Sequence, residues 1–319
     1  MRRVAAACLL IAAPLAAQQA EPAPLEWQAR ADQRLLDMGW RLARASAGLC
    51  PDTRAATGLM LRDIRGWAQP AAVREEFGQV RDIAVQAVAA GSPAQQAGIA
   101  RGDEITSLNG RDPNTLPAET ASDWQRLHGI NEAMDAALRF YGAIGIARAG
   151  ESERRLDGAP ACYARFEIIP ESDKASSTGT RVRIGDRWLA GDIADDSLAF
   201  LVAHELAHNI LKHRLRRDRP RRERPSARDV EREADRLAPW LMARAGYDPD
   251  GAVAFLEEYG PGQDGFLYIG TSHDGWKSRR DAIRHEIDAI GNAATSDWTP
   301  YFETELAAAR AVMPPPVPR

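Results

Sequence analysis

His204 and His208 stand four residues apart around Glu205, in the run FLVAHELAHNILKH of a chain with only six histidines. An α-helix turns once in 3.6 residues, so imidazoles at this spacing face the same way and Glu205 reaches the same region from one residue on. Neutral imidazoles are good Zn2+ ligands, and helical spacing sets both nitrogens along one edge of a tetrahedron. Chance gives an HExxH run in on the order of 1% of chains with this histidine content. The plainer reading is a pair of core histidines bonded to backbone. A third ligand would separate the two readings, because a catalytic zinc takes three protein ligands and leaves its fourth position to water.

That ligand is expected from DVEREADRLAPWLMARAG, which starts at Asp229 and reads as a second helix. Glu231 and Asp235 lie one turn apart on it. Glu231 is placed to ligate the metal, and Asp235 to accept a hydrogen bond from a ligand imidazole and fix its tautomer. Glu233, rotated by roughly 200° from Glu231, is expected to point away and to be replaceable at little cost. Without the histidines the same charges would read as a solvated, salt-bridged helix face.

The helix that carries the histidines needs an apolar setting, and Phe200, Leu201, Leu206, Ile210 and Leu211 supply it. Asp195, Asp196 and Ser197 are suited to cap its start. Upstream, the stretch 25–48 has the spacing of an amphipathic helix ended by Gly48 and Pro51. From Gly58 the texture changes to short apolar runs broken by Gly and Asp, which read as strands and tight turns. The run RVRIGDRWLAGDIADDS reads as a strand and turn entering the histidine helix, and its strand around Val182–Ile184 is expected beside the cleft, ready to pair with an extended substrate. The MPPPVPR end is a proline-rich tail.

With 319 residues and 45% hydrophobic content, the chain has material for two domains with their own cores. A net charge of −4 excludes a globally basic nucleic-acid binder. The first twenty residues, MRRVAAACLLIAAPLAAQQA, have the pattern of a secretory signal, so the expected location is exported, periplasmic or secreted, and soluble after signal removal. Removal of that signal leaves Cys50 and Cys162, an even pair expected to form one disulfide in an oxidising compartment, with two buried thiols as the plainer alternative.

Two family resemblances follow from these residues. Residues 58–170 resemble a PDZ domain, on Gly91, Ser92, Pro93, Ala94, Ala97, Gly98, Gly102, Asp103, Ile105, Asn109 and Gly110. The family's long helix would fall on 120–139, its closing strands on IGIARAGESERRLDGAPACYARFEI, and its carboxylate-binding loop on Gly58, Leu59, Met60 and Leu61. Residues 180–292, with HELAH, ExxxD and TSHDGWKSRRDAI, resemble the HtpX and BepA type of zinc metallopeptidase, gluzincins related to the CaaX prenyl protease. That resemblance implies His204, His208 and Glu231 as zinc ligands, Glu205 as general base, and Asp235 as the acid behind the ligands. It adds His273 and Arg279 as groups around the substrate carbonyl and Glu231.

The expected architecture is α+β: a signal at 1–20, a helical segment at 21–57, a small PDZ-like β domain at 58–170, a mainly helical gluzincin-type metallopeptidase domain at 171–295, and a C-terminal helix and tail at 296–319. The expected function is exported zinc-dependent hydrolysis of peptide bonds in protein or peptide substrates, in envelope quality control. The alternative is a periplasmic chaperone or scaffold whose zinc site rarely cleaves. Nucleic acid is not an expected partner. The Arg-rich segment RLRRDRPRRERPSARD reads as a solvated loop, with peripheral contact to membrane or envelope complexes as its other use.

Overall fold

The structure, a computed structural model, describes residues 25–118, 124–261, 274–292 and 298–314. The stretch expected to be a signal, the end of the proline-rich tail and His273 therefore lie outside the described residues. The chain is mixed α+β, about half helical, with small sheets and two hydrophobic cores.

The chain enters through α1 (Leu25–Ala45). Its Ala31, Leu35, Met38 and Leu42, spaced by four and three residues, are all buried, as one face of an amphipathic helix requires. Then follow β1 (Thr53–Ala56), β2 (Leu59–Asp63), α2 (Pro70–Glu76), β3 (Ile83–Val88), α3 (Pro93–Gln96), β4 (Ile105–Leu108), α4 (Trp124–Tyr141), β5 (Ala143–Arg148), β6 (Arg154–Asp157) and β7 (Ala159–Cys162). β2 pairs antiparallel with β3, and β4, β5 and β6 form a second antiparallel sheet. A bridge between Ala84 and Glu104 joins them, reinforced by bonds exchanged between Val85 and the 102–103 backbone.

Local sequence chemistry sets the connections in this unit. Ser92 Oγ accepts from the Gln95 amide and Pro93 occupies the first helical position of α3, a standard N-terminal signal. Asn109 and Gly110, with φ of 50° and 76°, make the tight turn between Leu108 and Arg111, the conformation these two residue types tolerate best. α4 lays Ile130, Met134, Ala137 and Leu138 onto the smaller core. Its buried Arg126 donates to both oxygens of Asp63 and to Asp82, tying α4 to β2.

The second unit comprises β8 (Arg165–Ile169), β9 (Ala175–Ser177), β10 (Arg181–Gly185), α5 (Asp186–Ala190), α6 (Asp195–Ile210), α7 (His213–Arg217), α8 (Ala227–Arg244), α9 (Asp250–Tyr259), α10 (Trp276–Gly291) and α11 (Glu303–Ala311). β8 was expected to close the N-terminal unit. It instead pairs in parallel with β10, and Phe166 is buried in the larger core. The reason is close packing against α1: a methyl group at Gly39 would lie 2.4 Å from the Phe166 ring, so the glycine makes room for it.

Two further expectations are corrected. Asp195, Asp196 and Ser197 do not cap α6, whose N-cap is Ala194 with no side-chain bond. They are spent on other elements: Asp195 accepts from Arg34 of α1, Asp196 accepts from the Asp248 amide, and Ser197 Oγ donates to the Gly251 carbonyl. The Cys50–Cys162 disulfide is not formed; both are free thiols, hydrogen-bonded to one another. Burial pushes the Cys162 thiol well up; burial works the same way on Cys50, but the hydrogen bond from Cys162 draws that thiol down, and Cys162 Sγ also lies 3.3 Å from the Ser46 carbonyl.

α1 packs on β3 of the smaller unit and on α6 and α8 of the larger. Beneath it, Asp32 accepts from Gln86 Nε2 at 2.6 Å, while Gln86 Oε1 accepts from the buried Arg62. Burial pushes the Asp32 carboxyl up from 3.8 to about 6, against the opposing Gln86 bond. Since the folded value exceeds the unfolded one, stability linked to Asp32 is fully present below about pH 4 and lost as pH rises through about 6. Asp32→Asn should therefore stabilise the protein by about 2–3 kcal/mol at pH 8 and by little at pH 4, read from urea unfolding at the two pH values.

Candidate metal centre

α6 is buried on nearly every side, from Ser197 through Ala207, and carries the two histidines through the larger core. α8 runs against it. Its start is set by a capping box, in which Ser226 Oγ accepts from the Asp229 amide and the Asp229 carboxylate accepts from the Ser226 amide. The pairing of these helices brings His204, His208 and Glu231 together as a group able to hold a metal ion.

The donor atoms converge closely. His204 Nε2 lies 3.2 Å from His208 Nε2 and 3.2 Å from Glu231 Oε2, and His208 Nε2 lies 3.5 Å from Glu231 Oε2. Metal bonds of about 2.0–2.1 Å in a tetrahedron imply edges of about 3.3–3.4 Å, so the triangle has the size of one tetrahedral face. Two neutral nitrogens and a carboxylate oxygen suit a borderline dication such as Zn2+. His204 is 3% exposed, and Glu231 is half-buried on the open side.

Behind His204 sits the expected acid. Asp235 Oδ1 is 3.0 Å from His204 Nδ1, though off the line of a well-formed hydrogen bond. Asp235 also accepts two bonds of 2.7 Å from the buried Arg279, delivered by α10. Burial works to raise the Asp235 pKa, but the Arg279 charge and its hydrogen bonds hold it well below the usual carboxylate range. Burial likewise works against a charged His204, yet Asp235 and Glu231 outweigh it and raise that imidazole to about 10. The surroundings of His204 thus favour positive charge at this spot, and a metal cation satisfies the same demand. Burial pushes the Glu205 carboxyl up, partly offset by His208 and His204.

Sequence reasoning missed His213, and misjudged Glu233. α6 ends at Ile210, and Lys212 adopts a left-handed φ of 52°, which turns the chain back so that the His213 ring stands edge-on to His208 at 4.8 Å. The turn is braced by Lys212 Nζ donating to Asp52 at 3.1 Å and by Asn209 Nδ2 donating to the Arg181 carbonyl at 3.1 Å. Glu233 is indeed rotated away from the donor triangle, but it is not idle. It pairs with His213 Nε2 at 2.9 Å and accepts from Arg216. Burial works to raise its carboxyl, but those partners pull it down to about 2, and burial pushes His213 down to about 4. No residue type in LKH announces the left-handed turn, because lysine has no preference for it.

β10 is the central strand of its sheet, in the order β8, β10, β9, so both of its edges are already paired and it has none for a substrate. The edge strand beside α6 is β9. The arginines of 214–224 are exposed apart from Arg216. His273 lies outside the described residues; the adjacent Asp274 accepts from Arg232 at 2.6 Å.

Comparison with known proteins bears on the N-terminal unit. Residues 85–127 match a family model described as PDZ domain. The chain contains a PDZ domain. The matched segment runs from β3 through the Ser92–Pro93 start of α3 and the Asn109–Gly110 turn into α4. No curated protein and no solved structure matches the chain.

Two measurements follow from this geometry. Zinc should raise the thermal midpoint of the protein, as any ligand of the folded state does, and Glu231→Ala should remove most of that rise. Asp235→Ala strands the buried Arg279 guanidinium and should lower stability by about 3–5 kcal/mol, seen as a fall in the urea midpoint.

Proposed function

We propose that the chain is a zinc-dependent endopeptidase of the gluzincin kind, similar to the HtpX and BepA metallopeptidases, exported from the cytoplasm and acting on protein substrates in envelope quality control. The observation that carries this reading is the meeting of three donor atoms within one tetrahedral face, with the buried carboxyl of Glu205 on the same helix. A purely structural zinc would be expected to close its coordination with a fourth protein ligand and to have no need of a base beside it.

His204, His208 and Glu231 would hold the ion. A bound zinc supplies an acidified water, with a pKa near 7, and polarises the substrate carbonyl. Glu205 would accept a proton from the attacking water and deliver it to the departing amine, a task suited to a carboxyl that burial raises above its ordinary value. Asp235, itself held by Arg279, orients His204. By the resemblance, His273 would stand near the substrate carbonyl.

Substrate presentation has a structural basis in two places. β9 has a free edge on its sheet among the described residues and packs against α6, so an extended backbone could add there as another strand. PDZ domains generally take peptide segments, which fits a recruiting role for the N-terminal unit. α1 touches both units and would fix the distance between recruitment and cleavage.

Glu205→Gln should retain zinc and the fold yet lose hydrolysis of unfolded casein by several orders of magnitude, since the ligands stay and only the proton acceptor goes. Metal content and casein turnover on the two purified proteins decide it. Equal turnover would reject Glu205 as the base, and suppression of aggregation without any cleavage by the parent would favour a chaperone.

A further inference from the structure

We propose that His213 is a positioning residue of the metal site: it accepts the Nδ1 hydrogen of His208 and so keeps the His208 Nε2 lone pair free for the ion. The inference rests on the metal-binding reading above, and it names a residue outside the donor triangle.

His213 Nδ1 and His208 Nδ1 are 2.8 Å apart, a hydrogen-bond distance, so one of them donates and the other accepts. The other His213 nitrogen, Nε2, is 2.9 Å from Glu233 Oε2. Glu233 also takes bonds from the Arg216 guanidinium, one of them at 3.0 Å. An ionised carboxylate only accepts, so the hydrogen on that side belongs to His213 Nε2. A neutral imidazole carries a single hydrogen, and in His213 the Glu233 contact places it on Nε2. Its Nδ1 is then an acceptor, and the shared hydrogen must sit on His208 Nδ1. A neutral imidazole with its hydrogen on Nδ1 has its lone pair on Nε2, the His208 atom that joins the donor triangle.

The backbone supports a built arrangement. On an unbroken helix a residue five positions after His208 would lie about 140° around the axis and could not reach it. The left-handed turn at Lys212, unfavourable for a residue with a Cβ, brings His213 back, and the pair between buried Lys212 and half-buried Asp52 holds that turn. Both ligand imidazoles are thereby backed by a carboxylate and an arginine. His204 has Asp235 and Arg279 directly, whereas His208 reaches Glu233 and Arg216 through His213.

The test compares His213→Leu with His213→Asn in the whole chain. Asparagine carries an oxygen where imidazole carries Nδ1 and can still accept from His208; leucine fills space but cannot. Zinc affinity, measured by competition with a chromophoric chelator, should fall 10–100-fold in His213→Leu, and His213→Asn should regain most of the loss. Both variants lose the Glu233 bond, so a role confined to fold stability would weaken zinc equally in both, and that result overturns the proposal, as does parental affinity in His213→Leu. Nitrogen-15 NMR of the parent reads the His208 tautomer independently, with the hydrogen expected on Nδ1. A parent that takes up no zinc would reject the metal-binding reading itself. The NMR arm would then decide the relay alone, a hydrogen on His208 Nε2 overturning it.

Discussion

The constraint on which the rest of the structure depends is that α6 is buried on almost all sides while carrying His204, Glu205 and His208. Polar groups taken out of water must find partners inside the protein or cost several kcal/mol each. The surrounding elements are arranged to meet that demand. α8 brings Glu231 and Asp235 to one face of α6, α10 brings Arg279 to Asp235, and the turn into α7 folds His213 and Arg216 toward Glu233. Asn209 near the end of α6 is tied to the Arg181 carbonyl of β10.

These contacts make the site a property of four helices and one left-handed turn rather than of the HExxH run alone. Asp235 and Arg279 are both almost wholly buried, and each makes the burial of the other tolerable. The same pair attaches α10 to α8, an attachment extended by Arg236 and Trp240 donating to Glu286. The geometry of the donor triangle and the docking of the C-terminal helices therefore share one network. α1 extends the connection to the PDZ domain, through Gln33 on the Val88 backbone and the Asp32–Gln86 bond on one side and Arg34 on Asp195 on the other.

Where the structure departs from what the sequence suggests, the cause is a partner that the local pattern does not reveal. Phe166 looks like part of the run of strands that precedes it, but the space left by Gly39 draws it into the other core. Val182–Ile184 looks like a strand free to pair, and pairing with β8 and β9 uses both of its edges. The acidic start of α6 looks like a cap, but Arg34, Asp248 and Gly251 take its side chains. Glu233 looks outward on a helical wheel, which is true with respect to Glu231, but a wheel does not show that α7 lies on that side.

What the sequence determined by itself is what periodicity and local chemistry control. The helical spacing of His204 and His208, the one-turn offset of Glu231 and Asp235, the amphipathic face of α1, and the Ser92–Pro93 and Asn109–Gly110 signals of the PDZ domain all depend on neighbours within a few residues, and each appears in the fold. Tertiary structure alone decided which strand keeps an open edge, that Cys50 and Cys162 meet as thiols, and that His213 reaches His208. Those outcomes depend on competition among groups far apart in the chain for the same buried space and the same hydrogens, and no local pattern encodes which competitor wins.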